Sequence, residues 1–310
     1  MVFALSAIAA GVGDQHLAKV VADGAVRQFV SMLTFNQLLR VGGLDPAQVR
    51  LLRHRDGTAR IHRALYDDAM NHHLRFAQYQ ERQGTPQVID QFRAANYLAG
   101  FVVEPISGAT VFAGVWQRLE ERPKEQHTNN PYSPDGPTGR AIEFNTRRLE
   151  AFDDYVGRLV IAWGEGTRAW VQRADNQDKP IVELRRTRTD PDFPGFLAFQ
   201  ISLNQVEALY PSWIQVLRNS RGVYLLVRRK TGEQYVGSAY GSDGFFGRWL
   251  SYQDGHGGNV SMKELGADAC EFDVNVLEVA GSDATFDEIC QRESLWKTKL
   301  GTRAVGLNRN

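Results

Sequence analysis

The sequence predicts an α+β protein: N-terminal helices, then a bent mixed sheet or small β-barrel, then a small antiparallel three-stranded sheet flanked by helices. Three observations carry this reading. Before residue 95, apolar residues recur at three- and four-residue spacings, the helical period. From Tyr97 onward, β-branched and aromatic runs alternate with turn-forming residues. After Pro211-Ser212-Trp213 the pattern changes again, to two strands, a helix, a third strand and a last helix. The chain therefore divides into 1–215, helical over 1–95 and β-rich over 96–215, and a compact unit over 216–310.

Residues 1–40 read as helical, with Val26, Phe29 and Val30 on one face and Val20 and Val21 a turn or more earlier. Thr34 is placed to cap a helix over 35–40, and Gly42-Gly43 ends it. The most basic segment follows, Val49 to Arg63. It is either a solvated face or a phosphate-contacting strip, in which Arg53, Arg55, Arg60 and Arg63 are the candidate DNA contacts. Residues 64–83 read as one more helix, with Leu65, Met70, Leu74 and Phe76 on a broad face. His72-His73 within it is not a metal pair, because neighbouring helical residues point apart and no third ligand has suitable spacing.

Leu98–Val103 and Thr110–Trp116, joined by Glu104-Pro105-Ile106-Ser107-Gly108, read as a hairpin. Residues 120–140 are polar and rich in Pro, Asn and Gly, which predicts an exposed loop. Strands are expected over 155–163, 168–173 and 179–186, the last ending on Arg185 and Arg186. A short amphipathic helix is expected over 203–209. Trp116, Trp163, Trp170, Phe193, Phe196 and Phe199 are either core or a pocket that stacks a flipped or modified base. On the second reading Trp163, Trp170, Arg185 and Arg186 join the DNA-contact candidates.

Composition sets bounds on function. The 310 residues are 43% hydrophobic and 23% charged, ordinary for a globular protein, and the formal net charge is zero. No global basic field announces nucleic acid, but the 36 basic residues include only seven lysines, and arginine suits bidentate phosphate contacts. Cys270 and Cys290 are too few for a disulfide framework or a zinc site and fit a reduced, cytoplasmic setting. The apolar start Met1–Ala10 lacks a positive leader and reads as helix; no run approaches the ~18 apolar residues that span a bilayer, so no membrane partner is expected.

The C-terminal stretch carries the chemistry. Gly222 to Arg229 and Gln234 to Ala239 read as strands around the turn Lys230-Thr231-Gly232-Glu233, with Tyr224 and Tyr235 in apolar runs and Gly237 allowing close backbone approach. A helix over 245–252 places Arg248 and Tyr252 on one face. After a strand over 272–279, a final helix carries Glu293 on the side of Lys297 and stops at Gly301. A carboxylate for a cation, an arginine for developing phosphate charge and a base for water are what metal-assisted phosphodiester hydrolysis needs. A tyrosine near pKa ~10 is a poor base unless nearby cations lower it.

In this order Gly222-Val223-Tyr224, Tyr235-Val236-Gly237, Arg248, Tyr252, Glu293 and Asn308 resemble the GIY-YIG nuclease family, with Val223 in place of Ile. The resemblance covers about residues 220–310. It implies that Glu293 binds Mg²⁺ or Mn²⁺, that Tyr235 or Tyr252 helps to activate water, that Tyr224 and Arg248 orient and stabilise the phosphate, and that Asn308 supports the site. Tyr252 stands where several members carry His, and His256 in a glycine-rich loop is a further base candidate. The expectation is a metal-dependent DNA endonuclease whose N-terminal region selects DNA, modified bases included, in restriction or anti-phage defence. A structure-specific repair or recombination nuclease is the alternative, with a homing endonuclease third; a non-catalytic DNA-binding or scaffold protein on a relic nuclease fold is the alternative of another class. One site cuts one strand, so double-strand cleavage would need a homodimer or two successive events.

Overall fold

The computed structural model describes residues 33–55, 57–123, 129–133, 141–165, 169–188, 190–252 and 271–309. The helices expected over 1–32, most of the loop expected over 120–140, the first residue of the strand expected over 168–173, His256 and Cys270 lie outside the described residues. The elements run α1 (Phe35–Val41), β1 (Val49–His54), α2 (Ala59–Met70), α3 (Leu74–Glu81), β2 (Arg82–Gln83), α4 (Pro86–Arg93), β3 (Tyr97–Val103) and β4 (Thr110–Pro123). Then come β5 (Ile142–Arg148), β6 (Leu159–Ile161), β7 (Val171–Arg173), β8 (Ile181–Leu184), β9 (Gln200–Ser202) and α5 (Pro211–Arg218). The last are β10 (Gly222–Arg228), β11 (Gln234–Ala239), α6 (Gly244–Leu250), β12 (Phe272–Val279) and α7 (Phe286–Leu300).

Thr34 caps α1 as expected: it accepts from the Gln37 amide, and Gln37 Oε1 takes the Thr34 amide at 3.0 Å. Eight strands form a curled mixed sheet with the path β2-β5-β4-β3-β1-β7, from which β6 and β8 branch at β4. The path ends at β2 and β7 without closing, so the sheet is the bent one of the two expected forms. Among the described strands only β1 and β3 pair in parallel. The expected hairpin is β3 and β4, with a register shift at Gly100 and Phe101.

Helices cover both faces of this sheet. Phe35 and Leu39 pack with Leu51, Phe101 and Phe112 on one side. Leu65, Ala69 and Phe76 pack with Val102, Val111 and Ala113 on the other. Adjacent strand residues point to opposite faces, so burying both faces makes continuous apolar runs such as Leu51-Leu52.

That geometry explains where the chain departs from its sequence reading. Val49–His54 is a central strand inside the region read as helical; it sits between β3 and β7. Arg50 in it is buried, its guanidinium donating to Gln91 Oε1 at 2.8 Å and the Ala94 carbonyl at 3.3 Å. The helix expected over 64–83 is two, broken at Asn71–His73, where His72 has φ 59° and Asp68 accepts from the His73 amide and ring. Leu74 starts the second helix and is exposed, outside the apolar face assigned to it. Glu150–Tyr155 is a 3₁₀ turn, which leaves only Leu159–Ile161 of the strand expected over 155–163. Residues 120–123 extend β4 rather than opening a loop, because β5 pairs with Glu121, Arg122 and Pro123.

The second sheet is antiparallel with order β11-β10-β12-β9, four strands rather than three. β9 covers an edge that β12 would otherwise leave with unpaired amides and carbonyls. The sheet thus reaches across the junction expected near residue 215. Phe193 and Phe196 also pack into its core, beside Phe199, Phe245 and Trp249.

Glu104, in the turn between β3 and β4, is 2% exposed. Arg185 Nη1 approaches its Oε1 at 3.2 Å, Tyr66 Oη donates to it at 3.3 Å, and Ser107 donates to Oε2. Removing the carboxylate would leave the largely buried Arg185 guanidinium without its main partner. Glu104→Ala is expected to lower unfolding free energy by about 3–5 kcal/mol, read by urea titration, with an unchanged m-value.

Candidate active site

The site forms around one cross-strand pair, Tyr224 on β10 opposite Gly237 on β11. The Tyr224 side chain is fully buried and lies over Gly237; a Cβ at residue 237 would sit 2.5 Å from the Tyr224 hydroxyl. At the other end of the first motif, Gly222 has φ 150° and packs against the Glu278 carbonyl of β12, so a side chain there would collide with backbone. Glycine at these two positions lets three strands close around the tyrosine.

The Tyr224 hydroxyl lies 2.8 Å from the Tyr252 hydroxyl and accepts from Arg248 Nε at 3.1 Å. Arg248 Nη2 also donates to Tyr252 at 3.3 Å, and its Cζ is 5.1 Å from the Tyr252 ring centre. The four-residue spacing expected to bring Arg248 and Tyr252 together does so, although α6 ends at Leu250. Trp249 on the same helix is buried between Phe199 and Phe245, which fixes the helix against the sheet.

Glu293 enters from α7. Thr285 caps this helix through a reciprocal pair with Glu288, and Gly301 ends it in the left-handed conformation. Arg292 Nη1 and Trp296 Nε1 donate to Glu278 of β12, at 3.1 and 2.8 Å, and so set the face that α7 turns to the sheet. Glu293 Oε1 is 2.7 Å from Lys297 Nζ, and Oε2 accepts from the Ser238 hydroxyl. The Tyr235 hydroxyl borders Tyr252 and feels the charge of Glu293. A cavity of about 300 Å³ opens beside these groups, with Ser238 and Arg248 both in its wall.

Asn308 is buried and acts as an extra rung beside β11. Its Oδ1 accepts from the Val236 amide and its Nδ2 donates to the Val236 carbonyl, both at 2.9 Å. The peptide between Tyr235 and Gly237 is thereby held from outside the sheet.

Burial dominates the acidity of the three tyrosines. It pushes the hydroxyls of Tyr224, Tyr235 and Tyr252 well above the ordinary phenol range. Arg248 pulls all three back down, but by less than burial raises them, so this arginine alone does not make any of them a base. Burial disfavours the Arg248 charge too, and the surrounding tyrosines more than restore it.

Two members of this cluster had no place in the sequence-derived site. Ser238 bonds to Glu293, and Lys297, 4% exposed, neutralises it. The i,i+4 spacing signalled the Lys297 contact; nothing in the sequence signalled Ser238. Among the described residues no group of three or more His, Cys, Asp or Glu is arranged to hold a metal ion. One carboxylate with a hydroxyl beside it fits a divalent cation that keeps most of its waters, and Lys297 competes for the same carboxylate.

The N-terminal candidates divide. Arg55, Arg60 and Arg186 are exposed. Arg53 donates to Thr110 Oγ1 at 3.0 Å and lies 5.8 Å from the Trp163 ring centre. Arg63 is paired with Asp67 at 2.8 Å, and Arg185 with Glu104. Trp116 and Trp163 are core residues; Lys179 and Arg53 occupy the neighbourhood of the Trp163 ring, so it offers no stacking pocket. Trp170 is half-buried, its ring centre 5.7 Å from that of His54. Phe193, Phe196 and Phe199 pack into the core of the second sheet, not the first.

No protein-family model and no curated protein matches the chain. Two solved structures are similar to it. One is a point mutant of the catalytic domain of the intron endonuclease I-TevI, with 22% identity over 29% of this chain and 94% of that one, at a TM-score of 0.25. The other is the catalytic domain of the homing endonuclease I-TevI, with 21% identity over 29% of this chain and 98% of that one, at the same TM-score.

Two substitutions test the geometry. Asn308→Ala removes both bonds to Val236 and leaves buried backbone groups unpaired, so unfolding free energy should fall by about 2–4 kcal/mol in urea titration. Gly237→Ala crowds the Tyr224 ring and should cost about 1–3 kcal/mol by the same measurement, with the Tyr224 hydroxyl displaced in a crystal structure of the variant.

Proposed function

We propose that the protein is a metal-dependent DNA endonuclease of the GIY-YIG type that hydrolyses phosphodiester bonds. One observation carries the reading. Arg248, held by the hydroxyls of Tyr224 and Tyr252, lines the same cavity as Ser238, whose hydroxyl is bonded to Glu293. A guanidinium and a carboxylate so placed suit a phosphodiester between them, with a fixed positive charge on one side and an acceptor for a cation on the other.

In this reading Arg248 donates to a non-bridging phosphate oxygen, where charge grows as the bond to the attacking oxygen forms. Tyr224 and Tyr252 hold the guanidinium in place, their hydroxyls already bonded to it and to each other. Glu293, with Ser238, would hold Mg²⁺ or Mn²⁺; when bound, the ion supplies positive charge to the leaving oxygen and favours ionisation of nearby hydroxyls. Tyr235 is the residue we assign to take the proton from the attacking water. It is less buried than Tyr224 and Tyr252, and its hydroxyl borders the Glu293 charge. Asn308 keeps the Tyr235 backbone in register through Val236.

Of the N-terminal arginine candidates, the exposed Arg55, Arg60 and Arg186 are placed to meet DNA phosphates. Selection of DNA by this region, including modified bases, fits a role in restriction or anti-phage defence. No helix among the described residues is long and apolar enough to cross a membrane.

Purified protein with Mg²⁺ should nick or cut plasmid or phage DNA, and Glu293→Gln should reduce cleavage by at least about a hundredfold while DNA binding persists. Equal cleavage by both proteins on modified and unmodified DNA would refute the enzyme reading. The base must lose its proton before it acts. Burial holds the Tyr235 proton on above the ordinary phenol range, so the rate should rise as pH increases through the alkaline range, by roughly tenfold per pH unit. Tyr235→Phe should abolish that rise.

A further inference from the structure

An exposed aromatic pair stands at the mouth of the Arg248 cavity. Tyr240 follows directly after β11, two residues beyond Ser238, and lines the cavity itself. Phe286 is the first residue of α7 and lies seven residues before Glu293, so two helical turns place both on one face, about 10 Å apart along the axis. The two rings meet edge to face, centroids 4.6 Å apart at 85°. Tyr240 is nevertheless 50% exposed and Phe286 55% exposed. Their mutual contact leaves about half of each side chain in water, and no Trp and no other Phe of this unit among the described residues is as exposed. The adjoining cavity wall carries Ser242, Asp243, Gly244 and Gly247 as well as Gly241, beside which open space leaves room for a flat group near the rings.

We propose that Tyr240 and Phe286 form a stacking platform for a nucleobase one to three nucleotides from the phosphate held at Arg248. The inference rests on the phosphodiesterase reading for its choice of ligand. Its own grounds are the exposure of the pair, its continuity with the Arg248 cavity, and its attachment to the two elements that carry Ser238 and Glu293. A nucleobase presents an apolar face to the rings while its phosphate reaches the guanidinium, so one ligand satisfies both parts of the cavity. Every base has such a face, so the platform would favour an unstacked or single-stranded base without reading its identity. The strand at the site would then be distorted where it is cut.

The test uses the full chain carrying Glu293→Gln, with aminopurine walked through each position of a short oligonucleotide, in single-stranded and duplex form. Binding should change the emission strongly at one position. Adding Tyr240→Leu and Phe286→Leu, which keep apolar bulk at exposed positions, should remove that change and weaken binding by roughly five- to a hundredfold. Thermal unfolding of both proteins, measured in parallel, establishes that the comparison is between folded chains. Unchanged emission and affinity in the leucine variant would overturn the platform, as would binding with no responsive position; a partner protein that instead loses its affinity for the leucine variant would identify the pair as a protein contact. The two readings fail separately. Cleavage by the unmodified chain without a responsive base retires the platform alone, whereas a responsive, leucine-sensitive base without any cleavage keeps the platform and retires the nuclease.

Discussion

A single buried hydroxyl organises the C-terminal unit of this protein. The Tyr224 side chain is enclosed on a strand at the centre of its sheet, and burying a phenol oxygen is costly unless it is bonded. Its partners come from elsewhere in the chain: Tyr252 and Arg248 from the α6 region. Room for the ring comes from the missing side chain at Gly237. Helix, strand pairing and glycine therefore answer one local demand, and the guanidinium is oriented as a result. Glu293 arrives independently, on a helix fixed by its own caps and by Glu278, and meets the cluster through Ser238.

The same burial sets the chemistry. A dry enclosure strengthens the contacts of Arg248 but raises the cost of ionising any tyrosine beside it. The carboxylate, too, is already balanced, by Lys297. The cluster in this state thus carries one net positive charge, on Arg248: the tyrosines are protonated and the Glu293 acid is paired.

Much of the C-terminal unit was legible because its signals are local. Two strands around a four-residue turn, a capped helix ending in glycine, and i,i+4 pairs are short-range patterns, and Arg248 and Tyr252 meet as their spacing requires. Ser238 was illegible because its role depends on a helix that packs beside it only in three dimensions. The N-terminal half reads worse for a related reason. Val49–His54 mixes arginines with leucines, and buried strands with polar ends do not differ in period from short helices. Only tertiary pairing with β3 and β7 decides the matter. The aromatic residues between 193 and 199 illustrate the same limit. Their composition marks a packed region, but not which of two sheets they pack against.

The short strand β9 bears on how this architecture can be taken apart. Gln200 pairs with Asn275, so a three-residue edge strand depends on a partner more than seventy positions away. The motif-bearing segment from 222 onward is accordingly not a detachable cassette. Grafting it onto another recognition module would expose the β12 edge and strip Phe193, Phe196 and Phe199 from its core. A transplantable unit has to begin upstream of Phe193, and its linker then runs close to Arg185 and Glu104. In this chain the connector between the two sheets is itself part of the second sheet and its core.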